Sequence, residues 1–377
     1  MTLITYLTRV HFADGVLEEA LWAEMESGQK QRPLILADSS DPDIVLDERL
    51  MSSLPVRAQP AIFSDIPHIP TESSARDVAK LYQEKNCDVL LAFGSGRAID
   101  LAKIARVAIA HDSGLAKFSY RSGGSRRIGD KLPDMFAIPG ISGFGAAVSA
   151  HAPLILNSGE RALVMCKKLI PNVTICDPTL TLNSTAVQSA SAGAGAITHC
   201  IEAFISKGYN PPAEGIALDG LNRAVTNLPM VLQDNRNLLA RREMMAAGLN
   251  GALALQKGLG ASHAISNALE AVSDLALDQG ALNRISLPSV LHFNRNAAPS
   301  KFDMLRKVFD LDAEDNLAEG VNDYFNNLPL PKSLSQLGLE LAHLEAAATV
   351  ASEDLATDTN PRPVEIGDYL SIMRSVH

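Results

Sequence analysis

A chain of 377 residues is longer than one hydrophobic core usually organises, so two domains are expected. Hydrophobic residues make up 46% and charged residues 20%, the balance of a water-soluble globular protein, and no apolar stretch approaches a membrane span. The net charge of −10, with no run of Lys and Arg, argues against nucleic acid as a partner.

Residues 1–14 lack a charged start, an apolar middle and a small-residue cleavage site, so no secretory leader is expected there. The cysteines Cys87, Cys166, Cys176 and Cys200 form no CxxC pair and mostly sit among apolar residues. They read as reduced thiols of a cytoplasmic protein.

Along the first half, short apolar runs alternate with amphipathic stretches. Pro33-Leu34-Ile35-Leu36-Ala37 predicts a buried strand ending at Asp38. Thr71-Glu72-Ser73-Ser74 supplies a helix start, and the spacing that follows predicts a helix over 75–85. Residues 88–93 predict a second strand, which runs into Gly94-Ser95-Gly96. The stretch 121–131, with cations interleaved among Gly and Ser, reads as a loop. Residues 135–138 predict a third strand ending in Pro139-Gly140, and 173–176 a fourth ending in Asp177-Pro178. Strands alternating with helices imply a parallel, doubly wound sheet.

After about Thr181 the pattern changes. The stretches 186–205, 215–232 and 238–255 carry apolar residues at helical spacing and are rich in Ala, Leu and Met. Asn210-Pro211-Pro212 separates the first two, and 326–331 breaks a later pair. The expected fold class is an α/β dinucleotide-binding domain over 1–180 followed by an all-helical domain over 181–377.

Three places carry chemistry. Glycines at the strand-to-helix turn 94–96 let backbone approach a ligand, and the helix that follows offers unpaired N–H groups to a phosphate; the same turn serves equally as a plain tight turn. Asp38, at a strand end, can accept the ribose hydroxyls of NAD and repel the extra phosphate of NADP, or can be a helix cap. His199 and Glu202 share one helix, and Gly258-Leu259-Gly260-Ala261-Ser262-His263 places a second His at the start of another. Two His alone are as readily core residues as ligands, because a metal site needs three or four donors.

Several segments together resemble the iron-containing alcohol dehydrogenases, the group that includes glycerol dehydrogenases and maleylacetate reductases. Residues 94–103 resemble the family's GGGSxxDxAK phosphate loop. Ala137-Ile138-Pro139 through Gly145 is similar to IPTTAGTGSE, and 169–181 to LLPxxxxxDPxLT. Thr198-His199-Cys200-Ile201-Glu202-Ala203 resembles THAIEA, 258–263 resembles GLGAxHA, and 287–294 resembles LPxVLxFN. Arg9-Val10-His11-Phe12 fits the usual opening strand. The resemblance implies the dehydroquinate synthase-like fold, with an active site between the two domains and a homodimer built through the N-terminal strand.

The departures matter most. The family holds a divalent metal with one Asp and three His. Aligned on Thr198-His199, the Asp falls on Gly195, two of the His on His199 and His263, and the last on Gln279. A further His, near the substrate in the family, falls on Asn267, and the stretch 263–280 is slightly longer than usual. Two neutral imidazoles without a carboxylate hold a divalent ion poorly, so tightly bound Fe or Zn is not expected. One substitute is conceivable. Glu270, Asp274 and Asp278 recur every four residues, so a continuous helix would carry them on one acidic face; such a face is usually solvated, and only a register shift would bring Asp278 towards the two His.

The nucleotide side is altered too. The Ser of the phosphate loop is Arg97, Thr-Thr is Gly140-Ile141, and GTGSE reads Gly143-Phe144-Gly145-Ala146-Ala147. Arg97 either pairs with the pyrophosphate or lies at the loop rim. The cofactor-binding set the resemblance implies is Asp38, Gly94, Ser95, Gly96, Arg97, Asp100, Lys103, Gly140, Ile141 and Phe144, with NAD favoured over NADP. Catalysis would fall to His199 and His263, with Asn267 nearby. Three functions stay open: an NAD(H)-dependent oxidoreductase for a small alcohol, aldehyde or ketone without a tight metal; an inactive binding relative; and a metal enzyme with substituted ligands.

Overall fold

The computed structural model describes Ile4 and residues 8–38, 48–141 and 143–377. They divide into two compact units, one within Thr5–Ser184 and the other Thr185–His377 together with Ile4.

The first unit contains β1 (Arg9–Phe12), α1 (Leu17–Ser27), β2 (Pro33–Ala37), α2 (Glu48–Ser52), β3 (Ala61–Phe63), α3 (Glu72–Glu84), β4 (Val89–Gly94) and α4 (Gly96–Ala110). It continues through β5 (Met135–Pro139), α5 (Phe144–Ala147), the pair β6 (His151–Ile155) and β7 (Arg161–Met165), and β8 (Val173–Cys176). Six parallel strands form one sheet in the order β1-β8-β5-β4-β2-β3. Strands β2, β4, β5 and β8 are buried throughout, which is why they read as unbroken apolar runs. Their side chains alternate between two cores. Leu34, Leu36, Leu90 and Ala92 join α3 and α4 on one face, while Ile35, Leu91, Phe93 and Ile138 join α1 on the other. A one-residue slip would exchange these faces, and each fully buried Leu or Ile is worth about 1.5–3 kcal/mol, so the register is firmly set.

The helix expected over 75–85 begins three residues earlier, because Thr71 and Ser74 form a capping box that starts it at Glu72. Neither β3 nor the antiparallel β6–β7 hairpin was anticipated. β3 has three residues, too few to show a period, and β6 carries a proline at Pro153.

The second unit is helical: α6 (Ala186–Ile205), α7 (Pro211–Gln233), α8 (Leu238–Ala254), α9 (Ala261–Val272), α10 (Gln279–Asn294), α11 (Pro299–Val308), α12 (Leu317–Asn326), α13 (Leu341–Ser352), α14 (Leu355–Thr359) and α15 (Ile366–Ser375). Thr185, Asn210, Asn237 and Asp278 cap the starts of α6, α7, α8 and α10 with side-chain oxygens. Small residues let α6, α7 and α8 pack closely. A Cβ on Gly220 would lie 2.9 Å from Cys200 Sγ, and one on Gly251 would lie 3.1 Å from His199 Cβ.

The continuous acidic face is corrected by the structure. The chain leaves α9 at Val272, Ser273 is extended, and Asp278 is the cap of the next helix, so Glu270, Asp274 and Asp278 share no helix. Among the described residues, no helix is long and apolar enough to cross a membrane.

Candidate active site

In the α/β unit the strand order reverses between β2 and β4: β3 lies outside β2, whereas β5, β8 and β1 lie on the other side. The carboxyl ends of two strands flanking such a reversal form the usual ligand crevice of open α/β sheets. Ala37 pairs with Phe93, so Asp38 and Gly94 leave the sheet side by side. Gly94 has φ +89°, a left-handed conformation that a side chain disfavours. Its carbonyl accepts the Gly140 N–H at 2.8 Å, and a Cβ on Gly143 would lie 2.5 Å from the same oxygen. Ser95 then caps α4, its hydroxyl accepting the Ala98 N–H at 3.3 Å.

Asp38 is buried, and Arg97, in the first turn of α4, reaches it with Nη2 at 2.7 Å. Gly96, Arg97 and Gly140 are half-buried, while Ser95, Ile141 and Phe144 are buried. Asp100 and Lys103 turn inwards. The Lys103 ammonium is fully enclosed and donates to Ser149 Oγ at 2.8 Å, the His151 carbonyl at 2.9 Å and Asp100 Oδ1 at 3.3 Å. Burial pushes the Asp100 carboxyl up and the Lys103 ammonium down from their ordinary ranges, and their mutual attraction opposes both shifts. Lys103, one of the residues expected at the cofactor, ties α4 to β6.

In the helical unit, Ser191, Gly195 and His199 follow one another at four-residue spacing along one half-buried face of α6. Glu202 is buried less than a turn further on. Its carboxylate accepts the backbone N–H of Gly260 at 3.1 Å, Ser262 at 2.7 Å and His263 at 3.3 Å, which are the orphan donors at the start of α9. It also meets His263 Nδ1 at 2.6 Å. A carboxylate can only accept here, so the Nδ1 position carries a proton, and in the neutral imidazole Nε2 offers a lone pair. Among the described residues Nε2 of His263 has no hydrogen-bond partner, although the side chain is only 3% exposed. The His199 ring packs on the His263 ring with centroids 4.4 Å apart at 30°.

The remaining candidates are dispersed. Asn267, one turn after His263, is exposed, and its amide donates to Asp354 Oδ2 at 3.1 Å. Gln279 is exposed at the first position of α10. Asp278 accepts the Ser191 hydroxyl at 2.6 Å and the Ala281 N–H at 2.7 Å. The proposed substitute ligand is therefore a helix cap fastening α10 to α6.

A family model for iron-containing alcohol dehydrogenases matches residues 8–178, and one for the C-terminal region of the Fe-containing alcohol dehydrogenase family matches 189–377. The chain belongs to the iron-containing alcohol dehydrogenase family. It is 35% identical over 376 residues to a 4-hydroxybutyrate dehydrogenase of Cupriavidus necator, covering 98% of each chain. Its fold is similar to a crystal structure of 1,3-propanediol oxidoreductase, with a TM-score of 0.91 and 24% identity over the whole of both chains. It is also similar to the sulfoacetaldehyde reductase of Bifidobacterium kashiwanohense in complex with NAD+, with a TM-score of 0.88 and 20% identity over 100% of this chain and 98% of that one.

The family's metal can be tested against the donors present. His199 and His263 are neighbours, but a Cβ on Gly195 would meet nothing within 4 Å, so the position of the family's carboxylate is open space. No group of three or more His, Cys, Asp and Glu among the described residues is placed to share an ion. The Glu202 carboxylate is taken up by His263 Nδ1 and three backbone N–H groups, and two imidazoles with no carboxylate ligand of their own do not fit a firmly held divalent cation.

Glu202 is the residue whose role the sequence reading missed. Its three-residue offset from His199 put it on the same side of the helix, which was the available signal.

Proposed function

We propose that this family member is an NAD(H)-dependent oxidoreductase that interconverts a small alcohol and its aldehyde without a tightly bound metal, using His263 for the proton. The Glu202–His263 pair carries this reading. A buried imidazole has one nitrogen held by a carboxylate and the other unpartnered, the arrangement in which a His exchanges a proton with a substrate oxygen. When bound, the dinucleotide would supply the hydride chemistry at the alcohol carbon. In that direction His263 Nε2 receives the hydroxyl proton while Glu202 holds Nδ1–H and steadies the imidazolium. In the reverse direction the same nitrogen returns the proton to the carbonyl oxygen. His199 confines the ring by packing on it.

The open strand-end backbone, and the relative solved with NAD+, support the dinucleotide. The full-length likeness to a 4-hydroxybutyrate dehydrogenase makes a short hydroxy acid and its semialdehyde the first substrates to try. The same reading includes a cytoplasmic location and a homodimer built on β1, which is an edge strand. The test is NADH oxidation with succinic semialdehyde, and NAD+ reduction with 4-hydroxybutyrate, before and after chelation. Turnover that survives chelation and is lost in His263→Ala supports the proposal. Turnover that needs added metal, or that persists in His263→Ala, contradicts it.

A further inference from the structure

Asp38 and Arg97 form a pair that neither the fold nor the proposed chemistry explains. Asp38 ends β2, and its side chain is 2% exposed. Arg97 stands in the first turn of α4, where the helix dipole disfavours a cation. Its guanidinium nevertheless reaches Asp38 Oδ2 at 2.7 Å with 36% of the side chain still open to solvent. In a dinucleotide crevice an acid at this strand end receives the adenosine ribose hydroxyls, and a nearby arginine accommodates a 2′-phosphate. This chain holds both, in contact with each other. An unpaired Asp38 would repel a phosphate dianion, but the pair presents no net charge, and the guanidinium retains donors in a planar fork suited to phosphate oxygens.

We propose that Arg97 determines cofactor specificity: it neutralises Asp38 and receives the 2′-phosphate, so the protein binds NADP(H) as well as NAD(H). The inference rests on the dinucleotide reading above. It differs from a pyrophosphate role for Arg97, because the pyrophosphate is common to both cofactors and the 2′-phosphate is not.

Calorimetric titration of the full chain with NAD+, NADP+, ADP and adenosine 2′,5′-bisphosphate separates these possibilities. Wild type is expected to bind NADP+ within about tenfold of NAD+. Arg97→Ala should weaken NADP+ and the bisphosphate by about tenfold or more, while NAD+ and ADP change less than about threefold. That variant leaves a buried charge unpaired and can fail to fold. The double variant Asp38→Asn, Arg97→Ala removes both charges and should bind ADP and the bisphosphate about equally. Equal weakening of NAD+ and NADP+ in Arg97→Ala, or a double variant that still favours the bisphosphate as wild type does, overturns the proposal. Wild type that binds NAD+ but rejects NADP+ overturns it and leaves the dinucleotide reading standing; wild type that binds no nucleotide removes both.

Discussion

The two units diverge from their family in different currencies. At the strand ends of the α/β unit the groups on which the dinucleotide proposal relies are mostly backbone: Gly94 at φ +89°, the Gly140 N–H against its carbonyl, and the opening turn of α4. A changed side chain, such as Arg97 where the family has Ser, leaves that backbone as it was. In the helical unit the proposed site is made of side chains, and Gly195 offers none where the resemblance implies a carboxylate. A site built from backbone tolerates sequence drift, whereas a site built from side chains changes its chemistry with it.

The comparison breaks or holds on the following substitutions. His263→Ala is expected to lower kcat by about 10²–10⁴, the usual contribution of a positioned acid–base group. Ser95→Ala should cost only about 1 kcal/mol, the value of one helix cap, because the backbone around it remains. Steady-state kinetics and denaturant unfolding of the two variants check this, and a Ser95→Ala loss as large as that of His263→Ala would erase the contrast.

Gly280→Ala comes next. A Cβ there would lie 2.1 Å from the Ser191 carbonyl oxygen, so α10 must move away from α6, at a cost of about 1–3 kcal/mol. Gly195→Ala should have the opposite sign. Nothing lies within 4 Å of its Cβ, and replacing a mid-helix glycine stabilises by about 0.5–1 kcal/mol. Thermal melts of the pair sharpen the claim that the family's carboxylate position is vacant space rather than a refilled core; a destabilised Gly195→Ala would refute it.

The smallest effect is on the thiols. Burial pushes Cys87 up to about 11 and Cys176 up to about 12, and it pushes Cys200, beside His199, upwards as well. These groups stay protonated at pH 8, because a raised thiol pKa leaves the thiolate scarce until the pH approaches it. Iodoacetamide at pH 8 should therefore modify native Cys166 first, as read by peptide mass spectrometry, with the other three reacting only on unfolding. Early loss of Cys200 but not Cys176 would show that the helical unit opens more readily than the sheet.

Much of the architecture was legible before the structure, and for a definite reason. Strands β2, β4, β5 and β8 are buried on both faces, so the residues that make them carry an unbroken apolar signal, and α6 to α8 bury regular stripes. What failed was short or non-local. β3 and β6–β7 depend on pairing partners that no local period encodes. The site followed the same division. His199, His263 and the glycine turn were visible as motifs. The Glu202–His263 contact, the Asp38–Arg97 pair and the inward turn of Lys103 join residues 46 to 61 positions apart and needed the fold to meet. The four-residue spacing of Glu270, Asp274 and Asp278 could not reveal that α9 ends at Val272 and that Asp278 caps the start of α10.

The claim that the helical site works through the Glu202–His263 pair instead of a seated cation is tested most directly by elemental analysis of the protein purified without chelator, with turnover measured on the same sample. The account predicts Fe, Zn, Mn and Ni far below one ion per chain, with activity indifferent to their addition. A transition metal present at about one ion per chain, whose removal abolishes turnover and whose return restores it, would contradict the account.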